Sequence, residues 1–132
     1  MFPEEFVAKQ VLAYTERGDV VFDPFCGRGT AVFESLLNGR RGAGVDINPV
    51  AVCVAGAKAD TPLLSSVLAR LSKLRTARKQ AEVLPIPAGS FFNACFHPTT
   101  LQQILFLRRE IDWRGSRVDR FVAAVVLGCL HG

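Results

Sequence analysis

Val20-Val21-Phe22-Asp23-Pro24-Phe25-Cys26-Gly27-Arg28-Gly29-Thr30 is the stretch that decides the fold. Three apolar residues in a row read as a short parallel strand buried on both faces. Asp23 ends that strand, residues 24–29 make a turn, and Thr30 to Leu37 read as a helix closed by Asn38-Gly39. Gly27 and Gly29 carry no Cβ, so the backbone can bend sharply there and a ligand can come close to it. A helix starting at Thr30 turns free N–H groups and a partial positive charge toward the turn. Strand, glycine turn and helix in that order form a nucleotide cradle.

Ala43-Gly44-Val45 follows as a second strand and ends at Asp46, about 20 residues beyond the glycine loop. An acid in that register can accept both hydroxyl hydrogens of a ribose. Asn48 is placed to cap the next helix and Pro49 to open it, and that helix runs to about Lys58. Upstream, Pro3, Glu4 and Glu5 suit the start of a helix, Val7, Val11 and Tyr14 recur at helical spacing, and Gly18 stops it. The first 60 residues therefore read helix, strand, helix, strand, helix, an α/β pattern with a parallel sheet.

The nucleotide itself is narrowed by what the loop lacks. A dinucleotide fingerprint has a third glycine where this chain has Val32, and no Gly-Lys-Ser or Gly-Lys-Thr marks a P-loop. Asp23, just ahead of the loop, repels a pyrophosphate and welcomes a sulfonium or an ammonium. That favours S-adenosylmethionine over NAD.

Asp23-Pro24-Phe25-Cys26-Gly27-Arg28-Gly29-Thr30 resembles the DPFxGxGT motif of the DNA amino-methyltransferases of the N6-adenine and N4-cytosine kind. Phe2-Pro3 is similar to their FP element, and Gly44-Val45-Asp46-Ile47-Asn48-Pro49 to their second, acidic motif. The resemblance covers about the first 60 residues. It implies a Rossmann-like class I methyltransferase fold, here incomplete, with few strands and a helix-rich second half. It implies S-adenosylmethionine as cofactor, with Phe2 and Pro3 near the methionine end and Asp23, Phe25, Gly27 and Gly29 around methionine and sulfur. Pro24, Cys26 and Thr30 belong to the same loop. Asp46 is implied on the ribose, and Ile47 or Asn48 beside the adenine.

The chain departs from that family in one respect. These enzymes present the target amine to the methyl group with a D/N/S-P-P-aromatic tetrapeptide, which holds the flipped base. This chain has seven prolines and no two are adjacent. No residue is therefore assigned a catalytic role, and the chain is expected to be the cofactor-binding part of a larger methyltransferase, inactive alone.

The second half is read as helical. Thr61-Pro62 starts a helix with Leu64, Val67, Leu68, Leu71 and Leu74 as its apolar stripe. Residues 82–98 read as loop, with Phe91, Phe92 and Phe96 as buried anchors or, alternatively, a base-stacking platform. Thr99 or Thr100 caps a further helix with Leu101, Ile104 and Leu105 inward, Asp112 to Gly115 connect, and Val118, Phe121, Val122 and Val125 mark a last helix. The expected organisation is one domain over 1–132, with a cofactor core at 1–60 and a helical and loop extension at 61–132.

Composition bounds the rest. Cys26, Cys53, Cys95 and Cys129 are scattered, so neither a zinc set nor a disulfide framework is expected, and Cys26 reads as a small wall residue. Asp23 has a structural alternative as a turn cap, Asp46 as a residue that ends a strand and caps a turn, Phe25 as a core residue, and Arg28 faces either solvent or a phosphate. Trp113, His97 and His131 read as structural. No apolar run approaches the ~20 residues of a membrane span, and acids at the N-terminus do not suit a secretion signal, so a cytoplasmic protein is expected. The net charge of +4 gathers in Arg70 to Lys79 and Arg108 to Arg120, which suits a polyanion or simply a solvated face. DNA is the expected partner, RNA the alternative, and self-association through an uncovered sheet edge and last helix is expected. Rival functions are an RNA guanine-N2 methyltransferase, a non-catalytic module binding nucleic acid or a partner, and a dinucleotide oxidoreductase.

Overall fold

The computed structural model describes residues 3–86 and 90–130. In order it holds α1 (Glu4–Tyr14), β1 (Val20–Asp23), α2 (Thr30–Leu37), β2 (Arg41–Gly44), α3 (Pro49–Ala59), α4 (Leu64–Gln80), α5 (Ser90–Cys95), α6 (Pro98–Glu110) and α7 (Arg117–Leu130). The two strands pair in parallel, Val20 opposite Arg41 through Asp23 opposite Gly44. Among the described residues the protein is thus α/β, rich in helix, with a two-stranded parallel sheet joined through α2. No described helix is long and apolar enough to cross a membrane.

Two compact units form. The first joins Met1–Pro62 with Trp113–Gly132, and the second is Leu63–Asp112. α7 belongs to the first unit because it packs along α3. The last described helix finds its partner upstream.

Glycines permit the packing of the first unit. A Cβ on Gly42 would lie 2.5 Å from the Val32 carbonyl oxygen, and one on Gly44 2.7 Å from the Cys26 Cβ. The Arg-Gly-Ala-Gly strand is therefore a flat surface on which α2 lies. A dinucleotide fold puts its packing glycine on the helix; here the helix carries Val32, and the strand carries the glycines. Cys26, Val32 and Ala55 close into a buried cluster behind the loop. Arg40 ties α1 to the strand entrance, donating from Nε to Thr15 Oγ1 at 2.9 Å and from Nη1 to the Asn38 carbonyl at 2.6 Å.

The structure corrects several expectations. Val20 and Phe22 are 54% and 59% exposed, so β1 is not buried on both faces. Among the described residues the sheet has two strands, with α2 packed on it, and these side chains are left to solvent. β2 ends at Gly44, not at Val45, although Val45 still donates to the Asp23 carbonyl at 3.1 Å and accepts from the Cys26 N–H at 3.0 Å. Pro3 is the N-cap of α1, just outside its first turn. Tyr14 on α1 and Val125 on α7 face solvent, while Val11 and Val122 are buried.

The second unit differs too. Of the expected α4 stripe only Val67 and Leu74 are buried; Leu64, Leu68 and Leu71 are exposed, because a short partner helix covers one narrow strip. The loop over 82–98 contains α5, and Phe91 is 64% exposed, stacked edge-on with Phe92 at 5.4 Å between centroids, rather than buried. Phe92 and Phe96 are half-buried. His97, not Thr99 or Thr100, caps α6: its Nδ1 accepts the Thr99 N–H at 3.3 Å, with Pro98 following. Leu101 is buried as expected, Ile104 and Leu105 are half-buried, and Phe106 joins the core. Gln102 fastens the 81–86 segment, exchanging hydrogen bonds with Leu84 at 2.7 and 2.9 Å.

Candidate functional site

The site is assembled by two local devices and one long tie. At the end of β1, Asp23 Oδ1 accepts the Phe25 N–H at 3.0 Å, an Asx turn that starts the loop. Gly27 and Gly29 then take φ of +48° and +77°, the left-handed region where a side chain is strained, and the Gly29 N–H closes a turn on the Cys26 carbonyl at 2.7 Å. The long tie is the Gly27 N–H donating to Asp46 Oδ2 at 2.8 Å, across 19 residues.

Asp46 is the organiser. Its second oxygen, Oδ1, accepts the Asn48 N–H at 2.8 Å. Asn48 in turn caps α3, its Oδ1 accepting the Val50 N–H at 3.0 Å. The Asn48 N–H first, and then the Gly27 N–H, hold the Asp46 carboxyl below the usual carboxylate range. Backbone N–H groups of Asn48, Gly27 and Ile47 take part of the carboxylate's acceptor capacity and leave the rest. The acid thus stays ionised and holds acceptor capacity for a donor arriving from solvent.

Two large apolar side chains flank these carboxylates in sequence, and both stand in solvent. Phe25 is 85% exposed, and Ile47 is fully so. Phe25 is therefore not a core residue. Cys26 is buried, and burial, followed by the Asp46 and Asp23 carboxylates, pushes its thiol up, which keeps it neutral and poorly nucleophilic. Arg28 is exposed, as are Pro24 and Asn48, and Thr30 is half-buried at the first position of α2. Pro3 lies at the start of α1, where its carbonyl accepts from the Phe6 and Val7 N–H groups; Phe2 lies outside the described residues. Among the described residues, no three His, Cys, Asp or Glu side chains gather as metal ligands.

Gly29 serves a purpose the sequence did not disclose. A Cβ there would sit 2.7 Å from the Cβ of Ala55 and 2.9 Å from its Cα. The loop is pressed against α3, and Ala55 is the residue that receives it. The spacing of small residues in α3, Gly56 among them, was the available signal, because small side chains inside a helix mark a close approach by another backbone. A cleft of about 160 Å³ opens beside this contact, lined by Cys26, Val32, Gly42, Gly44, Val52, Ala55, Gly56 and Ala59. It lies behind the loop and is apolar; Asp46 does not line it.

Residues 1–55 match the family described as DNA methylase. The chain is 40% identical over 48 residues to the orphan methyltransferase M.BamHII of Bacillus amyloliquefaciens, covering 36% of this chain and 18% of that protein. It is 44% identical over 46 residues to the type II methyltransferase M.HpaI of Haemophilus parainfluenzae, covering 35% of this chain and 15% of that protein. No solved structure matches. The resemblance read from the loop and its acid is borne out by these matches, which lie in the first 55 residues, and the chain covers less than a fifth of the length of either relative.

Proposed function

We propose that the first unit binds S-adenosylmethionine and is the cofactor-holding part of a Rossmann-like class I methyltransferase acting on an exocyclic amine of adenine or cytosine in DNA. The observation that carries this is the bond from the Gly27 N–H to Asp46 Oδ2. Glycine turn and acid are built as one object, as a ribose-binding site requires. Asp46, held ionised, accepts the ribose hydroxyls through the acceptor directions the backbone leaves free. Exposed Ile47 and Phe25 offer apolar walls for the adenine and the methionine side, with Gly27 allowing close approach. Pro24, Cys26, Gly29, Thr30 and Asn48 shape the same wall, and Phe2 and Pro3 are assigned to the methionine end. When bound, the sulfonium supplies an electrophilic methyl group; this chain's residues bind and orient it. The preference for DNA over RNA rests on the DNA methylase family and on the two relatives.

The 132 residues contain no proline pair, so no group here is assigned to hold the target amine. The purified chain is expected to bind cofactor weakly at most, and not to methylate DNA. Calorimetric titration with S-adenosylmethionine and S-adenosylhomocysteine tests this, beside Asp46→Ala and Asp46→Asn. Saturable binding by the wild type, lost in both variants while their circular dichroism stays native, is the expected result. Wild-type affinity retained in folded Asp46→Ala would overturn the assignment of Asp46 to the ribose, and methyl transfer to DNA by the chain alone would overturn the division of labour.

A further inference from the structure

The charge of this protein is segregated between its two units. Of the chain's 16 Lys and Arg, seven lie in Leu63–Asp112, against three of its 12 Asp and Glu. The other unit balances at nine of each, so the net charge of +4 belongs wholly to the helical one. Within it, α4 carries Arg70, Lys73, Arg75, Arg78 and Lys79 and no acid at all.

Helix-end electrostatics explains only part of this. Arg78 and Lys79 in the last turn of α4, and Arg108 and Arg109 in the last turn of α6, suit the negative ends of their helices. Lys73 and Arg75 lie earlier. Arg75 is three and four residues from Arg78 and Lys79, where like charges repel, and a solvated helix ordinarily alternates signs at that spacing. Arg70 is used internally, donating to the Glu110 carbonyl at 2.6 Å. Lys73, Arg75 and Lys79 are exposed. The helix thus holds like charges at a repulsive spacing, which an anion bound at this face would relieve.

One further contact concentrates the charge. Arg78 from α4 and Arg109 from α6 both lie over the ring of Phe106, 5.7 and 6.0 Å from its centroid, and that ring is 3% exposed. A buried phenyl ring between two helices holds guanidinium groups from both at one seam. Arg109 is also bound to Glu110 at 3.0 Å, whereas Arg78 has no ion pair among the described residues.

We propose that the Leu63–Asp112 unit is a DNA-backbone-binding surface, with Lys73, Arg75, Lys79 and Arg78 of α4 contacting phosphates. Such contacts supply affinity and position without reading bases. The surface lies outside the segment that matches the methylase family, residues 1–55. Its basic character stands on the charge and geometry above; the choice of DNA among polyanions rests on the methyltransferase reading.

The test is fluorescence anisotropy of the full chain with a short labelled duplex over a range of KCl concentrations, without cofactor. The wild type is compared with Lys73→Ala/Arg75→Ala/Lys79→Ala, and with Lys9→Ala/Arg17→Ala/Arg41→Ala, which removes three exposed charges from the other unit. The α4 variant is expected to lower the slope of log affinity against log salt by about 2.7, and to bind roughly tenfold or more weakly near physiological salt. The control variant should keep the wild-type slope. Circular dichroism of both variants reports folding, which exposed positions should not disturb. Equal losses in the two variants would reduce the effect to net charge and overturn the proposal, as would a wild-type slope in the α4 variant or no binding of duplex by the wild type. Tighter binding of single-stranded RNA of the same length, or of phosphatidylserine vesicles, would overturn the choice of DNA. Cofactor titration is independent of all these outcomes, so failure here and failure of the methyltransferase reading are distinguishable.

Discussion

Replacing Gly29 with alanine separates packing from ligand binding at the loop. Two costs arise, and the structure apportions them. The backbone at Gly29 has φ +77°, where a side chain costs ~1–2 kcal/mol. The added Cβ would then meet the Ala55 Cβ at 2.7 Å and its Cα at 2.9 Å. The Cα cannot rotate away, so α3 must shift, and overpacking of this kind costs ~1–3 kcal/mol. The expected total is ~2–5 kcal/mol, a large share of the ~5–15 kcal/mol that stabilises an ordinary domain. Gly18→Ala is the comparison: φ is +91° and a Cβ there meets nothing within 4 Å, so only the backbone cost applies. Urea unfolding followed by far-ultraviolet circular dichroism should give Gly29→Ala the lower midpoint by the packing difference. Ala55→Gly in the Gly29→Ala background should recover part of the loss, since it removes the contact at 2.7 Å and leaves the one at 2.9 Å. Equal destabilisation by Gly29→Ala and Gly18→Ala would refute the close approach.

Two further outcomes are expected. Cys26 and Cys53 are buried and Cys95 and Cys129 exposed, so Ellman's reagent at mildly alkaline pH should label two thiols quickly and the others only on unfolding; rapid labelling of all four would contradict the packing. Burial raises both inner thiols, aided at Cys26 by Asp46 and Asp23 and opposed at Cys53 by Arg120. Their contribution to stability is therefore complete below the unfolded thiol value of ~8.5 and declines as pH rises past it, which a falling urea midpoint in wild type, reduced in Cys53→Ala, would register. Finally, exposed Val20 and Phe22 on an open-edged strand should drive self-association. Sedimentation velocity should show a concentration-dependent rise that Phe22→Lys removes; a wild type that stays monomeric at high concentration would refute it.

The first half of the molecule was legible because its signals are local. α2 spans Thr30–Leu37, as the glycine before it and Asn38-Gly39 after it indicate. α3 starts at Pro49 with the Asn48 side chain as its cap, as an Asn-Pro pair indicates. β1 ends at Asp23. The second half was harder. α5 has six residues inside a stretch bracketed by prolines, too short for periodicity to register. Phe91 reads as a core residue from its chemistry alone, but nothing in its sequence neighbourhood says whether a partner covers it.

The sequence by itself determined the order of strand, glycine turn, helix and acid, because each element is set by residues within its own turn or strand. Only the tertiary structure decided how they act together. It assigned Gly29 to Ala55, tied Gly27 to Asp46, and laid α7 along α3, where the Cys53 thiol meets the Arg120 carbonyl at 3.6 Å. It also gathered the net charge on the unit from Leu63 to Asp112 by returning α7 to the first. These contacts join residues 19 to 67 positions apart, and local periodicity carries no record of which distant backbone will come close enough to exclude a Cβ.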